Sequence, residues 1–291
     1  MFNLKPRKVK KISTKNRKII GLFPAKNFKK VIKSIEKFQN SDVLKQQPII
    51  WDKAKNFNIY DDRGNKWIDF SSTIFVANAG HANKKIVLSI KKNASKLLHA
   101  YSYPTFERAN YLKKLIKFIP EYLNSATLLN SGTEATERAI KISKLYGQTF
   151  RLKKNKIISY LGNYHGKTLG AAMLSGEKED TNWIGYKDPN IIRLDFPYPW
   201  KIKTNRDAKN FFLKQIRLLK KKKIEKNISA FFLETYQGYG AIFYPKEYVK
   251  ELSKWCKKNK ILLVFDEIQS GFGRTGKIFG YQHYDVRPDL V

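Results

Sequence analysis

The chain has 291 residues, 42% of them apolar and 28% charged, with 58 lysines and arginines against 24 aspartates and glutamates and a formal net charge of +34. That length fits one large domain, or a domain with part of another, and supports a sizeable core. No apolar run reaches the length of a membrane span, the N-terminus lacks a secretory signal, and the single cysteine, Cys256, excludes an internal disulfide and suits a reducing compartment.

A basic surface of this size is able to hold nucleic acid or an anionic membrane. The excess, however, is 47 Lys and only 11 Arg, spread along the chain among many Asn and Ile. Arg is the residue suited to bidentate contact with phosphates and guanine edges. A spread of Lys, Asn and Ile reads instead as the mark of an AT-rich genome. The first 45 residues hold 14 Lys or Arg against Glu36 and Asp42. "KPRKVKKISTKNRK" therefore reads either as an arm that touches anions or as a solvated extension.

From about Tyr60 short apolar runs alternate with helical patterns. "IVLSIKKNASKLL" puts Ile86, Ile90, Ala94 and Leu97 on one helical face, and "ERANYLKKLIKFI" does the same with Ala109, Leu112, Leu115 and Ile119. "ATLLN" (126–130) is expected as a strand. It leads into a helix over "SGTEATERAIKISKLYG", with Ala135, Ala139, Ile142 and Tyr146 on its inner face and Gly147 as its stop. Further strands are expected at 156–162, 228–234 and 261–267. "NFFLKQIRLLKKK" and "EYVKELSKWCKKN" are helices, the second facing Tyr248, Val249, Leu252 and Trp255 inward. Apolar strands separated by helices predict an α/β fold: an open, mostly parallel sheet flanked by helices. Ligands in such sheets gather at the carboxyl ends of the strands. "NSGT", "GNYHG", "ETYQG" and "DEIQ" all follow expected strands, so they can converge on one crevice.

Each motif has a functional and a structural reading. Ser131, Gly132 and Thr133 open a helix, where free N–H groups favour a phosphate; equally, Ser131 or Thr133 caps that helix, with Glu134 or Glu137 completing a capping box. Tyr164 can stack on a flat ligand and His165 can hydrogen-bond or move a proton, or both are local packing. His81, His99 and His283 have no acidic or cysteine neighbours at metal spacing, so no metal site is expected. Asp266 and Glu267 end the most apolar strand. Neighbouring strand residues point to opposite faces, so the two acids have separate tasks, paired either with Arg274 or with a cationic ligand. "GFGRTG" (271–276) matches a dinucleotide fingerprint by letter, but "DEIQS" separates it from the strand and no helical pattern follows.

Together these segments resemble the class III (omega-type) aminotransferases, pyridoxal-phosphate enzymes of fold type I. The likeness runs from about Trp51 through "NIYDDRGNKWIDF", "NAGHANKKI", "NSGTEATERAIKISK", "YHGKTLGA", "FLETYQG" and "VFDEIQSGFGRTG". It implies pyridoxal 5'-phosphate as cofactor, an amine or amino acid and a 2-oxo acid as substrates, and a cytoplasmic homodimer without nucleic-acid or membrane partners. Residues 1–50 would be a basic extension with a helical segment, 51–110 part of the small domain and linker, and 111–291 the cofactor-binding large domain, incomplete at its C-terminus. By carry-over Ser131, Gly132 and Thr133 hold the phosphate, Tyr164 and Ile268 sandwich the ring, Gln269 bonds its hydroxyl and Asp266 pairs with its nitrogen; His165 and Glu234 join the same cofactor-binding set. Phe75 and Tyr239 would line the substrate pocket.

Two departures accompany the likeness. Tyr239 stands where many 2-oxoglutarate-using members carry an acid. The Schiff-base lysine of the family lies beyond "RPDLV", whereas this sequence ends at Val291; Lys277 falls in a different motif. The resemblance thus implies a chain lacking its small C-terminal domain, with little turnover by itself. Alternatives are an aminomutase of the same superfamily, similar to glutamate-1-semialdehyde 2,1-aminomutase, and a non-catalytic nucleic-acid-binding protein.

Overall fold

A computed structural model describes residues 3–39, 47–176 and 181–291. Asp42 and Lys45 of the basic N-terminal stretch lie outside the described residues. The chain divides into two compact units, Met1–Pro104 and Thr105–Val291.

In the first unit, the strands β1 (Arg7–Lys8), β2 (Ile12–Ser13), β3 (Lys18–Ile19), β4 (Leu22–Phe23), β5 (Trp51–Lys55), β6 (Asn58–Asp61) and β7 (Lys66–Ile68) accompany helix α1 (Phe28–Phe38). Five of them form an antiparallel sheet in the order β2-β3-β7-β6-β5, and β1 pairs with β4. The basic stretch is therefore built into a sheet: Ile19 is buried, and Ile20 N–H donates to Asn65 Oδ1 at 2.8 Å. Asp61 fixes the β6–β7 turn by accepting from the Arg63 and Asn65 amides, the Asn65 side chain and Trp67 Nε1. Phe75 ends a left-handed turn over residues 72–75, and helix α2 (Lys84–Ala94) follows. The expected inner face of α2 is not covered within its own unit, for Ile86 and Ile90 are exposed.

The second unit carries the parallel sheet. Its strands β8 (Lys156–Tyr160), β9 (Ile191–Leu194), β10 (Ile228–Glu234) and β13 (Leu262–Asp266) are ordered β13-β10-β8-β9, every pair parallel. The short β11 (Tyr236–Gln237) and β12 (Ile242–Phe243) make a hairpin beyond β10. Five helices accompany these strands among the described residues: α3 (Phe106–Phe118), α4 (Gly132–Gln148), α5 (Leu169–Leu174), α6 (Asn205–Lys221) and α7 (Lys246–Lys258). The period-two alternation of strand side chains divides the core in two. Ile158, Phe231, Leu233 and Phe265 face Phe212, Leu219, Tyr248 and Leu252 of α6 and α7, while Ile157, Phe232 and Val264 face Ile140 and Leu174 of α4 and α5. All seven residues of β10 are buried, as a central strand covered on both faces requires.

Three expectations are corrected. Residues 126–130 form no strand, because a groove of about 530 Å³ separates them from β13 and no neighbour among the described residues supplies ladder bonds. The packed stripe of α4 is Thr136, Ile140, Ser143 and Gly147, one residue on from the expected face; Ala135, Ala139 and Ile142 line the groove instead. Gly147 is not a helix stop but a close-approach site inside the last turn, where an added Cβ would lie 1.8 Å from the Lys154 carbonyl oxygen. Strand β9 is an element that the sequence pattern did not announce. No helix among the described residues is long and apolar enough to cross a membrane.

Candidate active site

The site residues lie where β8, β10 and β13 end and α4 begins. Asp266 shares a sheet face with Val264 and so points toward α4. Its Oδ2 lies 2.8 Å from His165 Nδ1, and its Oδ1 accepts from the Ile268 amide at 3.1 Å. The His165 ring is buried, its backbone N–H donates to Ser175 Oγ at 3.0 Å, and its Nε2 has no partner. Glu267 turns the other way. It accepts from Thr235 Oγ1, Ser270 Oγ and the amides of Gly280 and Tyr281, four donors that anchor the 280–284 turn. The separate tasks expected for the two acids are thus visible in the structure. Arg274 Nε donates to the Gln269 carbonyl.

At the start of α4, Ser131 Oγ accepts from the Glu134 amide, while Glu134 Oε2 accepts from the Asn130 amide. The capping reading therefore holds for Ser131, and the helix start still faces the crevice. A Cβ at Gly132 would lie 2.9 Å from Ile268 Cγ2, so only glycine lets the helix meet the loop after β13 this closely. The Thr133 hydroxyl is 2.8 Å from Thr168 Oγ1, which itself donates to Glu137 Oε1 at 2.6 Å. Glu137 also accepts from the Gly170 and Ala171 amides. Glu137 and Thr168 thus tie α4 to the loop carrying Tyr164 and His165. In the sequence Glu137 reads only as a capping candidate, and no local pattern marks Thr168 or Ser175.

Tyr164 is half-buried and meets Tyr239 edge to face, with ring centroids 5.9 Å apart. Glu234, at the end of β10, accepts from the Tyr164 amide at 2.9 Å and the Gly238 amide at 3.2 Å. Burial pushes its carboxyl up to about 7, opposed by the charge of His165 and the Tyr164 amide. Gln269 keeps a buried Oε1 without any hydrogen-bond partner, and Ile268 is 59% exposed beside it. A buried orphan acceptor beside an exposed apolar side chain marks a place shaped for a further polar, flat group.

The start of α4 offers backbone N–H groups to an anion, and the Asp266 carboxylate offers a negative charge to a cationic group. The family model described as Aminotransferase class-III matches residues 40–291. An acetylornithine/succinyldiaminopimelate aminotransferase of Buchnera aphidicola is 33% identical over 243 residues, covering 82% of this chain and 55% of that protein. An adenosylmethionine-8-amino-7-oxononanoate aminotransferase of Staphylococcus aureus is 35% identical over 261 residues, covering 85% and 57%. The chain therefore spans a little over half the length of these curated relatives. Among solved structures, an omega-transaminase from Thermomicrobium roseum superposes with a TM-score of 0.82 at 23% identity, over 90% of this chain and 62% of the other, a likeness of fold.

Proposed function

The chain belongs to the class III aminotransferases, and from that premise we propose that its crevice binds pyridoxal 5'-phosphate and that the protein carrying it moves an amino group from an amine or amino acid to a 2-oxo acid. The observation that carries this reading is the buried Asp266–His165 pair, set at the open end of β13 beside the start of α4. One further feature fits the cofactor: the orphan Oε1 of Gln269.

When bound, pyridoxal phosphate supplies an electron sink for charge developing on the substrate carbon. The chain's own residues have separable tasks. The α4 start offers the free amides of Gly132 and Thr133 to a phosphate, with the positive end of the helix dipole behind them. Tyr164 and Ile268 bound the faces of the ring. Gln269 offers its side-chain amide to the ring hydroxyl. Asp266 keeps a proton on the ring nitrogen, and His165 keeps the Asp266 carboxylate oriented through Oδ2.

Spectrophotometric titration with pyridoxal 5'-phosphate, with and without Asp266→Asn, tests the reading. Saturable binding that the substitution weakens supports it, and equal binding by both forms overturns the Asp266 assignment. Amino transfer that requires a 2-oxo acid, assayed on the protein that carries this chain, separates a transferase from an aminomutase.

A further inference from the structure

Glu234 stands apart from the other site residues, because its carboxylate spans two loops. Oε2 accepts the N–H of Tyr164, in the loop after β8, and Oε1 accepts the N–H of Gly238, in the β11–β12 turn. The side chains beside those amides are the two that meet edge to face, Tyr164 and Tyr239. The turn has no slack at this point: a Cβ at Gly238 would lie 3.1 Å from Glu234 Oε1 and 3.2 Å from Gln269 Nε2. Glu234 is only 7% exposed, so no solvent competes for its oxygens.

We propose that Glu234 is a positioning residue whose ionised carboxylate clamps the Tyr164 loop to the Tyr239 turn, and whose protonation releases one of the two amides and loosens the aromatic wall of the crevice. The proposal rests on the reading of that crevice as the pyridoxal phosphate site, since Tyr164 is the side chain being positioned. An ionised carboxylate accepts at both oxygens. A neutral acid gives one of them a hydrogen of its own, which then faces a donor.

Burial holds this carboxyl near 7, so the change falls within the range in which an enzyme works. The groups facing it are His165, whose positive charge would favour the ionised form, and Asp266, whose negative charge opposes it. Tyr236 and Tyr244 lie within electrostatic reach and carry no charge at these pH values, since burial raises both phenols further.

Hydrogen exchange at the Tyr164 and Gly238 amides tests the clamp without cofactor. Exchange is followed from about pH 6 to about 8 in the unsubstituted chain and in Glu234→Gln, corrected for the intrinsic pH dependence of exchange. The unsubstituted chain is expected to gain about tenfold protection at one amide or both as pH rises, the scale of a hydrogen bond to a charged acceptor. Glu234→Gln, neutral throughout, is expected to show the low protection at every pH. A flat profile in the unsubstituted chain overturns the proposal, and that profile decides the matter alone if the variant does not fold. A pH dependence surviving in Glu234→Gln also overturns it, by assigning the change to another group. Either failure leaves the cofactor reading standing, because that reading is tested by titration with pyridoxal phosphate.

Discussion

His165 Nδ1 and Asp266 Oδ2 lie 2.8 Å apart, on side chains that are 0% and 9% exposed. Asp266→Asn removes the negative charge while keeping the shape and the acceptor for the Ile268 amide. Amino transfer by the protein that carries this chain is expected to fall on the order of 100-fold or more, the scale of losing one preorganised electrostatic contact in a site that excludes water. Steady-state kinetics with a saturating 2-oxo acid checks this.

Glu267→Ala is expected to act on stability. It strands two hydroxyls and the amides of Gly280 and Tyr281 in a buried place. The cost is about 3 kcal/mol or more. Urea unfolding measures it. A loss below about 1 kcal/mol would mean that water satisfies those donors.

Gly147→Ala sets two effects against each other. Alanine in a helix gains about 1 kcal/mol over glycine, but the new Cβ would lie 1.8 Å from the Lys154 carbonyl oxygen. Backbone must move, and overpacking of this kind costs about 1–3 kcal/mol or more. Net destabilisation of about 2 kcal/mol is expected by the same denaturant measurement, and a more stable variant would refute the close approach.

Glu234 gives an unusual pH dependence of stability. Its carboxyl is raised from an ordinary 4.5 to about 7, chiefly by burial. Between those values the folded chain binds more protons than the unfolded one, so this group's contribution falls as pH rises. Relative to Glu234→Gln, the unsubstituted chain should lose on the order of 3 kcal/mol across that window and change little outside it. Denaturation midpoints taken as a pH series report the difference.

Much of this architecture is readable from residues alone. The apolar runs at 228–234 and 261–267 become β10 and β13, because strands covered on both faces need no alternation. Consecutive acids at the end of β13 fall on opposite faces by geometry alone. The 126–130 segment misleads because its pattern is that of a strand, whereas a strand also needs a neighbour within ladder distance, and the groove holds β13 out of reach. The same groove explains the one-residue displacement on α4: Ala135, Ala139 and Ile142 are apolar but face the opening. Partners distant in sequence, such as Asp266 with His165 or Glu137 with Thr168, carry no local periodic signal. The order of motifs places Asp266 and His165 in one crevice, but their contact is visible only in the structure.

The order β13-β10-β8-β9 also sets a timetable for synthesis. β8 emerges from the ribosome well before its inner neighbour β10: Tyr160 precedes Ile228 by roughly 70 residues, on the order of 3–14 seconds at ordinary elongation rates. During that interval β9 can cover one edge of β8, but the other, flanked by Ile157 and Ile158, has no mate. Parallel pairings of such long separation form slowly and leave sticky edges exposed. Slower elongation between codons 160 and 234 lengthens the time in which that edge can pair with other nascent chains, and is expected to lower the yield of folded protein.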